Sequence, residues 1–379
     1  MLRYFISIVL FISILHSYGQ EPEPLLKPYG SVRTGYFTKK NDGRDGNISS
    51  KHEGRLRLQL GLKLRVFDNL SLNTRFAGRF STAQEEFSFV LTDHIPPGKD
   101  GLKMGSSTID EFHLDYKPFD ALRIRLGRMQ TKFELGGVPK KSLDRNDSPN
   151  TEINWTDGIH FTYTTKFGMA AHFIAQYNSK SGGSNIFRLP LSFEDPASRV
   201  SYYGVLQDVK EGGFFAQREL SATYIPQSIP DINENNSPKD LFAVATRLAV
   251  APKLGAFATL FIGGELGYAN RSANKALLNT GFVDEGQGGQ MAYQVSINLL
   301  DMFEKHNIGF IFGNIDDGWL ISPDLRSNNY EREIRHQWKI TKKLSMENRI
   351  RWRSDKEQIV GAQQKRQDVD LYFRFTYKL

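Results

Sequence analysis

The sequence predicts an all-β chain: a transmembrane antiparallel up-and-down β-barrel of about 16 strands, with roughly 14 to 18 compatible with the pattern. Two observations carry this reading. Apolar and polar residues alternate with a period of two in segment after segment, and the connections between those segments alternate between short and long. A third observation removes the main competitor: beyond the N-terminus no run approaches the 18 or so apolar residues of a membrane helix, and mean hydropathy is −0.44.

The chain opens with Arg3, an apolar stretch from Phe5 to Leu15, and Ser17-Tyr18-Gly19-Gln20. A basic start, a short apolar core and small residues at Ser17 and Gly19 predict a cleavable secretory signal over residues 1–19. The stretch is too short to span a bilayer comfortably, and no Cys follows it to take a lipid. Residues 20–29, with Glu21-Pro22-Glu23-Pro24, read as a short periplasmic lead-in, and 30–379 as a single barrel domain. Cys is absent, aromatic residues make up 12% and glycine numbers 33. A disordered chain would carry fewer aromatics.

The clearest strand is Gly54 to Val66. Leu56, Leu58, Leu60, Leu62, Leu64 and Val66 share one face, while Arg55, Arg57, Gln59, Lys63 and Arg65 share the other. A helix would spread these charges around its circumference, whereas a strand separates them. In Leu70–Phe80, Leu72, Thr74, Phe76 and Phe80 oppose Asn73, Arg75 and Arg79. Further strands are predicted near 30–38, 108–116, 122–129, 158–166, 169–177, 199–206, 214–225, 241–250, 254–268, 289–300, 307–313, 329–340, 344–353 and 367–379. The pattern is weakest in 199–225 and 307–340.

Short turns fall at 67–69, 117–120, 167–168, 251–253 and 341–343. Long polar loops fall near 39–53, 81–107, 130–157, 178–198, 226–240, 269–288, 314–328 and 354–366. If 30–38 rises from the periplasm, every short turn lies on the periplasmic side. Leu371, Phe373, Phe375, Tyr377 and Leu379 end the chain on an apolar face. That pattern is similar to the C-terminal signal read by the barrel-assembly machinery, although Leu379 replaces the usual aromatic.

Charges facing lipid are costly, so the other face must line the lumen. Arg55, Arg57, Lys63, Arg65, Arg75, Arg79, Arg123, Arg125, Arg349, Arg351, Arg353 and Arg374 are the expected lining, with Glu111 and Asp115 set to meet Arg123 and Arg125. Hairpin 54–80 offers no acid on its inward face outside the Asp68 turn. Like charges opposed across strands need compensation. Two readings stay open: a wall balanced by acids on inward-folded loops, or a basic stripe that favours anions by focusing potential. Loop 130–157 carries Lys132, Lys140, Lys141 and Arg145 beside Glu134, Asp144, Asp147 and Glu152. It either folds inward to narrow the lumen or stays outside.

The stretch Leu122-Arg123-Ile124-Arg125-Leu126-Gly127-Arg128-Met129-Gln130-Thr131-Lys132-Phe133-Glu134, continuing to Trp155-Thr156-Asp157-Gly158-Ile159, resembles the phosphate-selective porin O/P family. Leu126-Gly127-Arg128 and Trp155 to Ile159 are also similar to the alginate-export barrels. The resemblance covers about a tenth of the chain. It implies a passive outer-membrane channel for small hydrophilic solutes, anions or acidic saccharides among them, and leaves room for a homotrimer.

The other expected partners are outer-membrane lipid and lipopolysaccharide. The formal charge is +7, but an exported chain has little occasion to meet nucleic acid, so none is expected. His113, His160 and His172 fall on predicted inward faces without a motif marking a nucleophile or base. No metal-ligand spacing, calcium loop or cofactor motif is present, so no metal, cofactor or catalytic residue is expected. A barrel lipase or protease and a non-conducting structural or adhesive barrel remain the alternatives, distinguished by enzymatic assay and by conductance.

Overall fold

Residues 24–82, 88–89, 103–144, 153–178, 188–209, 213–233 and 236–379 are described by the computed structural model. The predicted signal peptide, most of the second outer loop, and Arg145, Asp147 and Glu152 lie outside them.

The chain closes into a barrel of sixteen antiparallel strands. These are β1 (Leu26–Asp42), β2 (Ile48–Phe67), β3 (Leu70–Ser81), β4 (Lys103–Phe119), β5 (Leu122–Met129), β6 (Thr156–Thr164), β7 (Met169–Tyr177) and β8 (Val200–Asp208). They continue as β9 (Gln217–Ile229), β10 (Lys239–Val250), β11 (Ala258–Ala269), β12 (Met291–Met302), β13 (His306–Ile315), β14 (Asn329–Lys339), β15 (Leu344–Asp355) and β16 (Gln367–Lys378). Two further segments, Ser88–Phe89 and Lys253–Leu254, add short pairings to β4 and β11. Each strand pairs with its sequence neighbour, and β16 returns to β1 with Lys39 opposite Asp370. Closure leaves no strand edge unpaired.

The weakly patterned stretches form β8, β9, β13 and β14 in their expected places. The first outer loop is shorter than its polarity suggests. β1 and β2 pair out to Asp42 opposite Ile48, so the connection is 43–47 rather than 39–53. A backbone ladder needs no apolar side chains, and beyond the lipid band polar residues such as Lys39 and Lys51 can occupy it freely.

The two faces are sharply different. Leu62 is 42% exposed on the outside, while Glu265, Glu331 and Glu333 are buried inside. Tyr293, Phe312, Tyr330 and Trp352 ring the outer surface near the external ends of β12–β15, where amphipathic rings suit a membrane interface.

Candidate functional site: an arginine wall facing an inward loop

The loop after β5 turns into the barrel. Gly136 N–H donates to Gln217 Oε1 on β9 at 2.9 Å, and Val138 N–H donates to Asn298 Oδ1 on β12 at 2.9 Å. Lys141 then enters a pocket on β14, bonded to Glu331 and lying 2.8 Å from Glu333. Leu143 N–H meets both oxygens of Glu265 on β11 at 3.1 Å. Asp144 binds Arg247 on β10, whose other acids are Glu219 and Glu265, the latter at 2.7 Å. These groups are desolvated, so each ion pair holds only while its partner is present.

The wall under the loop is cut away to receive it. Inward positions of β11 and β13 include Gly263, Gly267, Gly309 and Gly313. A Cβ on Gly309 would lie 2.6 Å from Pro139 Cδ, and one on Gly267 would lie 2.5 Å from the Trp319 ring. Neighbouring inward positions on β10 are Ala243, Ala245 and Ala249. Other loops complete the seat. Leu143 packs with Leu191, Phe193, Ile225, Trp319 and Leu320, and Trp319 Nε1 donates to Leu143 O at 3.1 Å. The apolar core of this protein therefore lies inside the barrel mouth, against β9–β13.

The opposite arc is basic. Arg79, Arg57 and Arg33 stand directly across β3, β2 and β1, and Thr376 continues the row on β16. Arg33 Nε donates to Thr376 Oγ1 at 3.2 Å. No carboxylate occupies that row. In the next row Arg55 and Arg374 flank Gly35, and Glu347 follows Arg374 at 2.6 Å. On the loop, Lys132 and Lys140 are exposed. Glu134 lies between them, and burial beside Asp324 pushes its carboxyl up to about 7.

Arg247 is paired in part by Asp144 of the inward loop, but the cations of β2–β5 and β15 that have acids take them from the wall itself. Arg55 meets Glu53 at 2.6 Å, Arg351 meets Asp370 at 2.8 Å and Arg353 meets Asp368 at 2.8 Å. Arg349 also binds Asp370. Arg75 holds Asp110 at 2.7 Å and Glu111 at 2.8 Å. Here the expected pairing is corrected. Arg123 takes Asp115 at 2.5 Å as anticipated, but Glu111 goes to Arg75. The cause is a bulge: Arg75 faces Glu111 and Phe76 faces Ile109, so Asp110 is an extra inward residue. Within hairpin 54–80, Arg75 is thus compensated by the next strand.

Arg125 donates to Gln130 O at 2.9 Å and to His160. His160 continues to His172 at 3.0 Å, which meets Gln207 at 3.0 Å. Lys63 lines a cavity of about 320 Å³ with Lys27, Asn73, His113 and Arg123. Arg65 sits at the turn, 3.9 Å from the exposed Asp68. Of the expected lining residues, Lys141 and Arg349 are sequestered by wall carboxylates, their side chains 2% and 1% exposed. The inward course of the loop had a signal in the sequence: glycine at four inward positions of two strands, where a free wall would carry polar side chains.

No model of a known protein family matches the chain, and no curated protein sequence is significantly similar. Its fold is that of Gram-negative outer-membrane channels. OprB of Pseudomonas putida superposes with a TM-score of 0.62 over 93% of this chain and 94% of that one, at 11% identity. The outer-membrane channel DcaP of Acinetobacter baumannii gives 0.56 over 93% and 97%, at 12% identity. An anion-selective porin from Comamonas acidovorans gives 0.53 over 93% and 99%, at 12% identity.

Proposed function

We propose that the protein is an outer-membrane porin that passes small hydrophilic solutes by diffusion and prefers anions. The observation that carries the preference is the unbroken row Arg79–Arg57–Arg33, set against Lys132 and Lys140 on the inward loop. Fixed cations on both sides of a narrow, low-dielectric-walled passage raise the local concentration of anions. The porins of like fold support passive transport, and the resemblance of the β5 region to phosphate-selective porins points the same way. In this reading residues 1–19 direct export and are removed, the C-terminal strand engages the assembly machinery, and the barrel resides in the outer membrane of a Gram-negative cell.

The test is the reversal potential of the refolded protein in a planar bilayer under a KCl gradient. Chloride preference is expected; a cation-selective potential overturns the anion reading. Absence of single-channel steps overturns the porin reading itself.

A further inference from the structure

The outer wall carries a cation that the channel does not use. Arg332 lies on β14 between Glu331 and Glu333, which are fully buried inside the barrel. Its own side chain therefore points outward, and it is exposed. It has no hydrogen-bond or ion-pair partner among the described residues. Its register neighbours are Phe312 on β13 and Trp352 on β15, with Tyr330 one step nearer the external rim.

A guanidinium facing hydrocarbon is destabilising at mid-depth and tolerated only near the interface. Arg332 sits at that interface, in the external aromatic girdle, where a long side chain can extend past Tyr330 toward the headgroups. The nearby acid Asp316 is already committed, to Lys356 and to the Met291 N–H at 3.0 Å. Lys356 Nζ, ion-paired with that Asp316, lies 5.6 Å above the Tyr330 ring and leaves Arg332 as the unpaired cation of this column among the described residues. A further exposed cation, Lys40 on β1, lies along the same register row through Trp352 and Val369.

We propose that Arg332 anchors a binding site for a phosphorylated lipid headgroup on the outside of the barrel, its acyl chains lying along Phe312, Ile334 and Trp352. Arginine supplies two parallel donors to phosphate oxygens, and the aromatic and aliphatic neighbours supply the apolar half of the site. The inference rests on the outer-membrane reading but not on anion selectivity.

The protein, purified in an uncharged detergent, is titrated with bis-phosphorylated lipid A and, separately, with phosphatidylcholine, and retained lipid is counted by native mass spectrometry. Wild type is expected to keep lipid A in preference to phosphatidylcholine. Arg332→Gln should lose at least fivefold of that retention and Arg332→Lys should recover part of it. Single-channel conductance and the heat-modifiable gel mobility of the folded barrel should be unchanged in both variants. Equal retention by Arg332→Gln, or equal retention of the two lipids by wild type, overturns the proposal. Dissociation of an oligomer by Arg332→Gln would assign the residue to a protein contact instead and also overturn it. Loss of conductance in wild type would bear on the channel reading alone.

Discussion

Lys141 Nζ lies 2.8 Å from Glu333 Oε2 and also binds Glu331, which fastens the loop after β5 to the wall on the far side of the barrel. The loop held by this contact packs against β9–β13, and the row Arg79–Arg57–Arg33 lies on the opposite arc.

Replacing Lys141 with Met removes the charge that the loop gives to two buried carboxylates on β14. Breaking a buried pair on one side costs about 3–5 kcal/mol. The variant should unfold at lower denaturant and show larger, noisier single-channel steps as the loop detaches. Unchanged step size would mean that the loop is held by its backbone bonds alone.

Arg57→Gln takes out the centre of the arginine row. A unit charge about 6 Å from a passing ion in water is worth roughly 0.7 kcal/mol, a factor of ~3 in local concentration. The charge acts with opposite sign on chloride and potassium, and at 0.1 M screening roughly halves its energy, so the chloride-to-potassium permeability ratio should fall by about 3–4-fold. At 1 M, where the screening length is about 3 Å, wild type and variant should converge.

Glu134 makes the passage pH-sensitive. Its carboxyl titrates at about 7 because burial disfavours the charged form. Above that pH it is negative and offsets Lys132 and Lys140; below it the offset is lost. Chloride preference should rise as pH falls from 8 to 6, and Glu134→Gln should hold the low-pH value throughout. Reversal potentials at each pH measure this.

Gly309→Leu sets a side chain where Pro139 Cδ would be 2.6 Å from the first added carbon. Overpacking of this kind costs roughly 1–3 kcal/mol. Because Pro139 is rigid, the loop must lift. Conductance should increase with the arginine row intact, so ion preference per unit current should weaken less than in Arg57→Gln.

Leu60 and Gln59 are adjacent on β2 but face opposite sides. Arginine at 60 meets lipid midway along the leucine face and should destabilise the folded barrel by about 2–4 kcal/mol. Arginine at 59 enters the lumen beside Asp110, which Gln59 already reaches at 3.1 Å, and should be nearly neutral. Equilibrium unfolding from vesicles distinguishes them.

The barrel was legible in the sequence because its physics is local. Leu56 to Val66 alternate without exception, and lipid outside a closed sheet demands that alternation. Even β13 and β14, poorly patterned by residue type, follow the strand-and-turn spacing set by their neighbours. The site was less legible because it depends on register and on chain crossing. The bulge at Asp110 redirects Glu111 to Arg75, and a one-residue insertion leaves no periodic trace. The reach of Lys141 to Glu331 links positions 190 apart, which no local pattern encodes. The glycines on β11 and β13 were visible throughout, but their meaning emerges only once Pro139 and Trp319 are seen resting on them.

Those glycines and the alanines of β10 also separate two kinds of evolutionary freedom. Substitutions on β9–β13 are judged against a bulky neighbour already in place and will mostly be rejected on shape. In the porin reading, substitutions along the Arg79–Arg57–Arg33 row of β1–β3 are judged against passing ions. A lineage built on this plan can retune what it admits by trading residues on one arc, while the other arc preserves the aperture through which each new preference is expressed.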